Sequence, residues 1–126
     1  MKKLFMSLML GLATAFLLSS CRHSNHNIKI SVKNNEDLYQ FSASYNDKKT
    51  GKIENLINEK IAPTRLEWSG DDDIDVTTVL EDKTKFHLES SPGELRIRLD
   101  KTENSRDSYL KIKEMCEEIK DIIATN

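Results

Sequence analysis

Glycine, proline and cysteine are scarce in this 126-residue chain, which holds four, two and two of them. Beyond residue 20 the glycines are Gly51, Gly70 and Gly93, too scattered to form a phosphate-cradling loop. Cys21 and Cys116 lie far apart, so there is no Cys-x-x-Cys redox or zinc motif. Gly-x-Ser-x-Gly and His-Glu-x-x-His are missing too, which removes two common hydrolase signatures. Charge of neither sign dominates: 19 basic against 21 acidic side chains give a net charge of −2. Nucleic-acid binding needs a concentrated basic face, and recognition of anionic headgroups needs a polybasic patch. The sequence supplies neither. Its longest apolar run, residues 4–18, also stops short of the about 20 residues that span a bilayer.

That run is nevertheless the most telling segment present. Lys2 and Lys3 precede it, and Leu18-Ser19-Ser20-Cys21 closes it. A basic start, a short apolar core and small residues before a cleavage point describe a secretory signal peptide. The Leu-Ser-Ser-Cys ending resembles the lipobox of bacterial lipoproteins at all four positions. The resemblance covers residues 1–21 alone and assigns one residue, Cys21. It implies that the Cys21 thiol is diacylated, that the chain is cut just before it, and that the new amino terminus is acylated. It also implies an address. No aspartate follows Cys21, which under the lipoprotein sorting rule favours the outer membrane. No acidic export run follows either, which favours the periplasmic face.

Removal of residues 1–20 leaves 106 residues, one domain's worth, with 17 basic and 21 acidic side chains and a net charge of −4. A chain of that size buries roughly 60–70% of its unfolded surface, enough for one two-layer core. With Cys21 consumed as a thioether, Cys116 is the remaining thiol and an internal disulfide is excluded. Stability must come from packing. Residues 22–27 form a polar tether that reaches about 20 Å when extended, so the domain from residue 28 sits close to the bilayer.

Ile28, Ile30 and Val32 alternate with polar residues, and Tyr39, Phe41, Ala43 and Tyr45 do the same. A two-residue turn at Asn34-Asn35, pairing Lys33 with Glu36, would set Ile30 opposite Tyr39. Ile53, Leu56, Ile57 and Ile61 then mark one stripe of a helix, with Thr50 as its predicted N-cap and Pro63 barring its continuation. Strand spacing returns at Leu66 and Trp68, at Ile74, Val76, Thr78 and Leu80, at Phe86 and Leu88, and at Leu95, Ile97 and Leu99. Ser91-Pro92-Gly93 is the clearest turn. Pairing Ser91 with Glu94 aligns Glu89 with Arg96 and Leu88 with Ile97. Asn104-Ser105 caps a last helix whose stripe runs from Tyr109 to Ile123. The order ββ-α-ββββ-α predicts an α+β two-layer sandwich, with an antiparallel sheet of about six strands and two helices on one face. Its other face, bearing Arg65, Glu67, Asp75, Thr77, Lys85, His87, Glu89, Arg96 and Arg98, is left open to water or a partner.

Few residues invite chemistry. Asp71, Asp73, Asp75 and Asp82 match the spacing of a calcium loop, but Val76 stands where that loop needs glycine. An extended strand is also demanded where the loop must wrap, so the segment reads as a solvated acidic turn. His23 and His26 lie in the tether, where a metal would bind adventitiously. His87 reads as a surface histidine, because a flat strand face supplies no carboxylate orienter in a pocket. Cys116 on a helix stripe reads as a small buried hydrophobe. The expectation is a non-enzymatic, lipid-anchored binding module in the bacterial cell envelope, monomeric as a domain and without metal or cofactor. It meets the membrane through its acyl chains and an envelope protein through a face around Arg65, His87, Arg96 and Arg98. The alternative is an immunity or inhibitor lipoprotein that neutralises a periplasmic toxin or hydrolase, with residues 69–75 as an acidic plug.

Overall fold

The computed structural model describes residues 27–68 and 73–125. Cys21, His23, His26 and residues 69–72 of the acidic turn lie outside that range. The described elements are β1 (Lys29–Asn34), β2 (Leu38–Ser44), α1 (Thr50–Ile61), β3 (Ile74–Val79), β4 (Lys85–Ser91), β5 (Glu94–Asp100) and α2 (Arg106–Ala124). All strand pairs are antiparallel, in the order β1-β2-β5-β4-β3. The fold is thus α+β in class, with five strands among the described residues where about six were expected.

The missing strand is the one expected at Leu66 and Trp68. Leu66 is buried, but its backbone N–H donates to the Asn58 side-chain oxygen at 2.9 Å, and its carbonyl accepts from Asn58 Nδ2 at 3.2 Å. One amide side chain on α1 therefore satisfies the groups that a neighbouring strand would have taken. The apolar alternation was real, but it reports burial in the core and not strand pairing. Arg65 is correspondingly exposed beside α1 and not on a strand, so it drops out of the expected sheet face.

The second hairpin has the expected register, with Ser91 opposite Glu94, Glu89 opposite Arg96, and Leu88 opposite Ile97. Gly93 sits at φ +80°, and a Cβ there would stand 3.0 Å from the Tyr45 carbonyl oxygen. The turn accordingly needs glycine for both its backbone angle and its space. Gly93 N–H donates to Thr50 Oγ1 at 3.3 Å. Thr50 is therefore occupied as a brace for this turn, inside α1, and not as the N-cap; a short 3-10 turn, Asp47–Lys49, leads into the helix, capped by Asn46.

The first hairpin differs from expectation by an even step. Ile30 faces Ala43 and Val32 faces Phe41, where the two-residue turn would have set Ile30 opposite Tyr39. Asn35 explains this, because its side-chain oxygen accepts from Asp37 N–H and Leu38 N–H, both at 2.9 Å. That bracket closes a turn over residues 35–38, between paired Asn34 and Tyr39, in place of the two-residue turn at Asn34-Asn35. An even shift leaves each side chain on its predicted face.

Tyr39, Phe41 and Ala43 of β2, Phe86 and Leu88 of β4, and Leu95, Ile97 and Leu99 of β5 are buried in one core. Ile53, Ile57 and Ile61 of α1 and Ile112, Met115, Ile119 and Ile123 of α2 close it. Ser105 caps α2 as expected, accepting from Ser108 N–H at 3.0 Å. Lys49 Nζ reaches the carbonyls of Ile122 and Ile123 at the other end of α2, at 2.9 and 3.0 Å. A cation there complements the helix dipole. Cys116 is fully buried, and burial pushes its thiol up to about 12, so it stays protonated and inert as expected.

Asp82 lies in the turn between β3 and β4, beyond the strand that begins at Ile74, and is engaged in structure rather than in a cation loop. The Lys111 ammonium, 2.9 Å away, holds its carboxyl down to about 2, assisted by Thr84 N–H at 3.0 Å. The folded value lies below the ordinary 3.8, so the contribution to stability is complete above that pH and is lost as pH falls through about 2. Asp82→Asn is therefore expected to flatten the acid limb of a stability–pH profile between those values. Urea titrations at a series of pH values measure it.

Candidate functional site

Both helices pack on one face of the sheet, so the residues pointing the other way meet solvent. On β4 the period of two places Lys85, His87, Glu89 and Ser91 outward, and on β5 Glu94, Arg96, Arg98 and Asp100. Two shallow hollows mark this face among the described residues. One, of about 690 Å³, draws on all five strands and is lined by Lys29, Ser31, Ser42, Asp75, Glu89 and Arg96 among others. The second, of about 610 Å³, is lined by Thr77, Lys85, His87, Arg98 and Asp100, with Asp37, Thr102 and Glu103 at its rim.

His87 lines the second hollow, and the strand register explains its company. Thr77 is its direct partner on β3, and Arg98 its partner on β5. Asp75 and Glu89 face each other one step along the same outer face. Thr77 Oγ1 shares a hydrogen bond of 2.8 Å with His87 Nδ1, while His87 Nε2 lies 2.7 Å from Asp75 Oδ1 and 3.7 Å from Glu89 Oε1. The other Glu89 oxygen, Oε2, takes a 3.4 Å contact from Arg96 Nη1. Asp100 also lies on this face. Its carboxyl is held below the usual carboxylate range, first by the Thr102 hydroxyl at 2.6 Å and then by Thr102 N–H at 2.8 Å.

The structure therefore overturns one expectation. The flat strand does offer His87 a carboxylate orienter, because antiparallel pairing brings Asp75 from the adjacent strand to its ring. Hydroxyl, imidazole and carboxylate are linked in line, the connectivity that nucleophile activation uses. The surroundings differ from those of a nucleophilic site. The Asp75 side chain is 69% exposed, so water screens the charge that a developing imidazolium would need. The same arrangement is well suited to polar recognition, with donors and acceptors fixed on three rigid strands.

Of the four residues expected to share a contact face, the sheet brings together His87, Arg96 and Arg98, and separates Arg65. Asp75, Thr77 and Glu89 complete the cluster and were not singled out as site residues. The signal for them is His-x-Glu on one strand opposite Asp-x-Thr on the next, and it becomes legible once the β3–β4 register is known. Cys21 lies outside the described residues. No helix among the described residues is long and apolar enough to cross a membrane. No family model, curated protein or solved structure matches this chain.

Proposed function

We propose that the protein is a lipid-anchored binding module of the bacterial cell envelope, held by acyl chains on Cys21 at the periplasmic face of the outer membrane. Its open sheet face is the surface that docks an envelope protein. The observation that carries this reading is the one-sided architecture: both helices cover one face, leaving two hollows and a row of fixed charged side chains on the other. Arg96 and Arg98 lie at the centre of that row on β5, and arginine is favoured where interfaces form because its planar fork makes several directed hydrogen bonds. The lipobox and the short tether support the location, since a domain beginning within about 20 Å of the anchor meets partners near the membrane. Protonated Cys116, buried in the core, takes no part.

The test separates fold from docking. Arg96→Ser with Arg98→Ser should leave thermal stability within about 1 kcal/mol, because exposed ion pairs contribute little. Crosslinking in intact envelopes should capture a partner with the unaltered protein and lose it with the double variant. A partner captured equally by both retires this face as the docking surface.

A further inference from the structure

We propose that Asp75, His87 and Glu89 form a binding site for a divalent transition-metal ion of the zinc class. The proposal stands on the geometry of the cluster and does not depend on the docking reading. Three potential ligand atoms, one nitrogen and two carboxylate oxygens, lie within 4.8 Å of one another. Around a tetrahedral ion with bonds of about 2.0–2.1 Å, neighbouring ligand atoms sit about 3.3 Å apart. The separations from His87 Nε2, 2.7 Å to Asp75 Oδ1 and 3.7 Å to Glu89 Oε1, straddle that value. The remaining separation, between the Asp75 and Glu89 oxygens, is within 4.8 Å, so side-chain rotation is the adjustment an ion would require. An imidazole in the set favours a zinc-like ion over calcium or magnesium, which prefer oxygen alone.

Two features outside the three ligands point the same way. Metal-binding histidines bond their second ring nitrogen to an orienting group. Here Thr77 Oγ1 does so at Nδ1, 2.8 Å away. A hydroxyl can donate to bare Nδ1 when Nε2–H bonds Asp75, or accept from Nδ1–H when Nε2 ligates an ion. The ring therefore keeps its orientation and its partner in both tautomers. Arg96 holds Glu89 Oε2 from the far side, which leaves Oε1 turned towards His87. Two carboxylates and a neutral imidazole balance the charge of a divalent cation, and three protein ligands leave an outward position for water. The ligands stand on paired strands, Asp75 opposite Glu89, so pairing of the backbone sets their spacing before an ion arrives.

Zinc titration of the full chain by calorimetry, with cobalt(II) absorption as the readout of coordination, tests this. The tether histidines are removed as competitors by His23→Gln with His26→Gln, which should preserve one saturable site per chain. His87→Gln or Asp75→Asn in that background should weaken binding at least about tenfold, and Thr77→Val should weaken it less, with Thr77→Ser restoring it. Loss of all saturable binding with the tether variant, or binding unchanged by His87→Gln, overturns the proposal. If His87→Gln does not fold, the imidazole resonances of His87 in the unaltered chain decide. A ring shifted by one equivalent of zinc supports the site, and an unshifted ring overturns it.

Discussion

Phe41→Ala is expected to cost about 3–5 kcal/mol, the range for removing a fully buried phenylalanine without refilling its space. Phe41 is 1% exposed on β2 and lies between Val32 of β1 and Ile97 of β5. Its ring faces the core that α1 and α2 close, so truncation removes contacts to both layers at once. For a single domain with about 5–15 kcal/mol of stability, that loss is a large fraction of the whole. A fall of the melting temperature by more than about 12 °C follows for a domain of this size. The comparison is Val32→Ala, which alters the directly opposed residue on the edge strand. Val32 is 53% exposed, and its loss should cost under about 1 kcal/mol. Thermal and urea unfolding of both variants measure the difference. Equal effects would mean that β1 is covered as deeply as β2, contrary to the one-sided layering.

The contrast between those two positions also shows what the sequence can and cannot specify. Alternation identifies which side chains share a face, and that survived even in the first hairpin, where the turn lies further along the chain than expected and the register shifts by an even step. The pairing offset depends on Asn35 bracketing two backbone N–H groups, a local choice that periodicity does not encode. At Leu66 the same alternation misled, because an amide on α1 can satisfy a backbone as well as a strand does. Strand order was illegible for a related reason. Inserting β5 between β2 and β4 joins segments about 50 residues apart, and only tertiary packing selects that neighbour.

The candidate site follows the same division. His87, Arg96 and Arg98 were visible one strand at a time, since each alternates with a buried residue. Asp75 and Thr77 gained meaning only from β3 lying beside β4. A histidine judged to lack an orienting carboxylate acquired one at 2.7 Å from across the ladder. Chemistry on a sheet is written across strands, so a motif search along the chain passes over it.

Replacing Cys21 with serine is expected to abolish the proposed lipid attachment completely, because a linkage like that of bacterial lipoproteins would be a thioether to this one sulfur. Each buried methylene of an acyl chain contributes about 0.8 kcal/mol, and stable anchoring takes more than one chain. Loss of every chain therefore removes the whole anchoring free energy, with nothing in the mildly acidic domain to replace it. Cys21→Ser should accumulate as uncut precursor, unlabelled by fatty acid, and globomycin should mimic it in the unaltered protein. Fractionation alone would mislead, since the uncut apolar segment at residues 4–18 can itself adhere to membrane. Acyl labelling and the intact mass of the product are the deciding measurements. Folding should be indifferent to the change: among the described residues the core and the side chains packed on it begin at Ile30, so the domain's melting transition should stay where it was. A labelled, processed Cys21→Ser protein would remove the anchor from the proposal and leave the open sheet face to be explained without a membrane beside it.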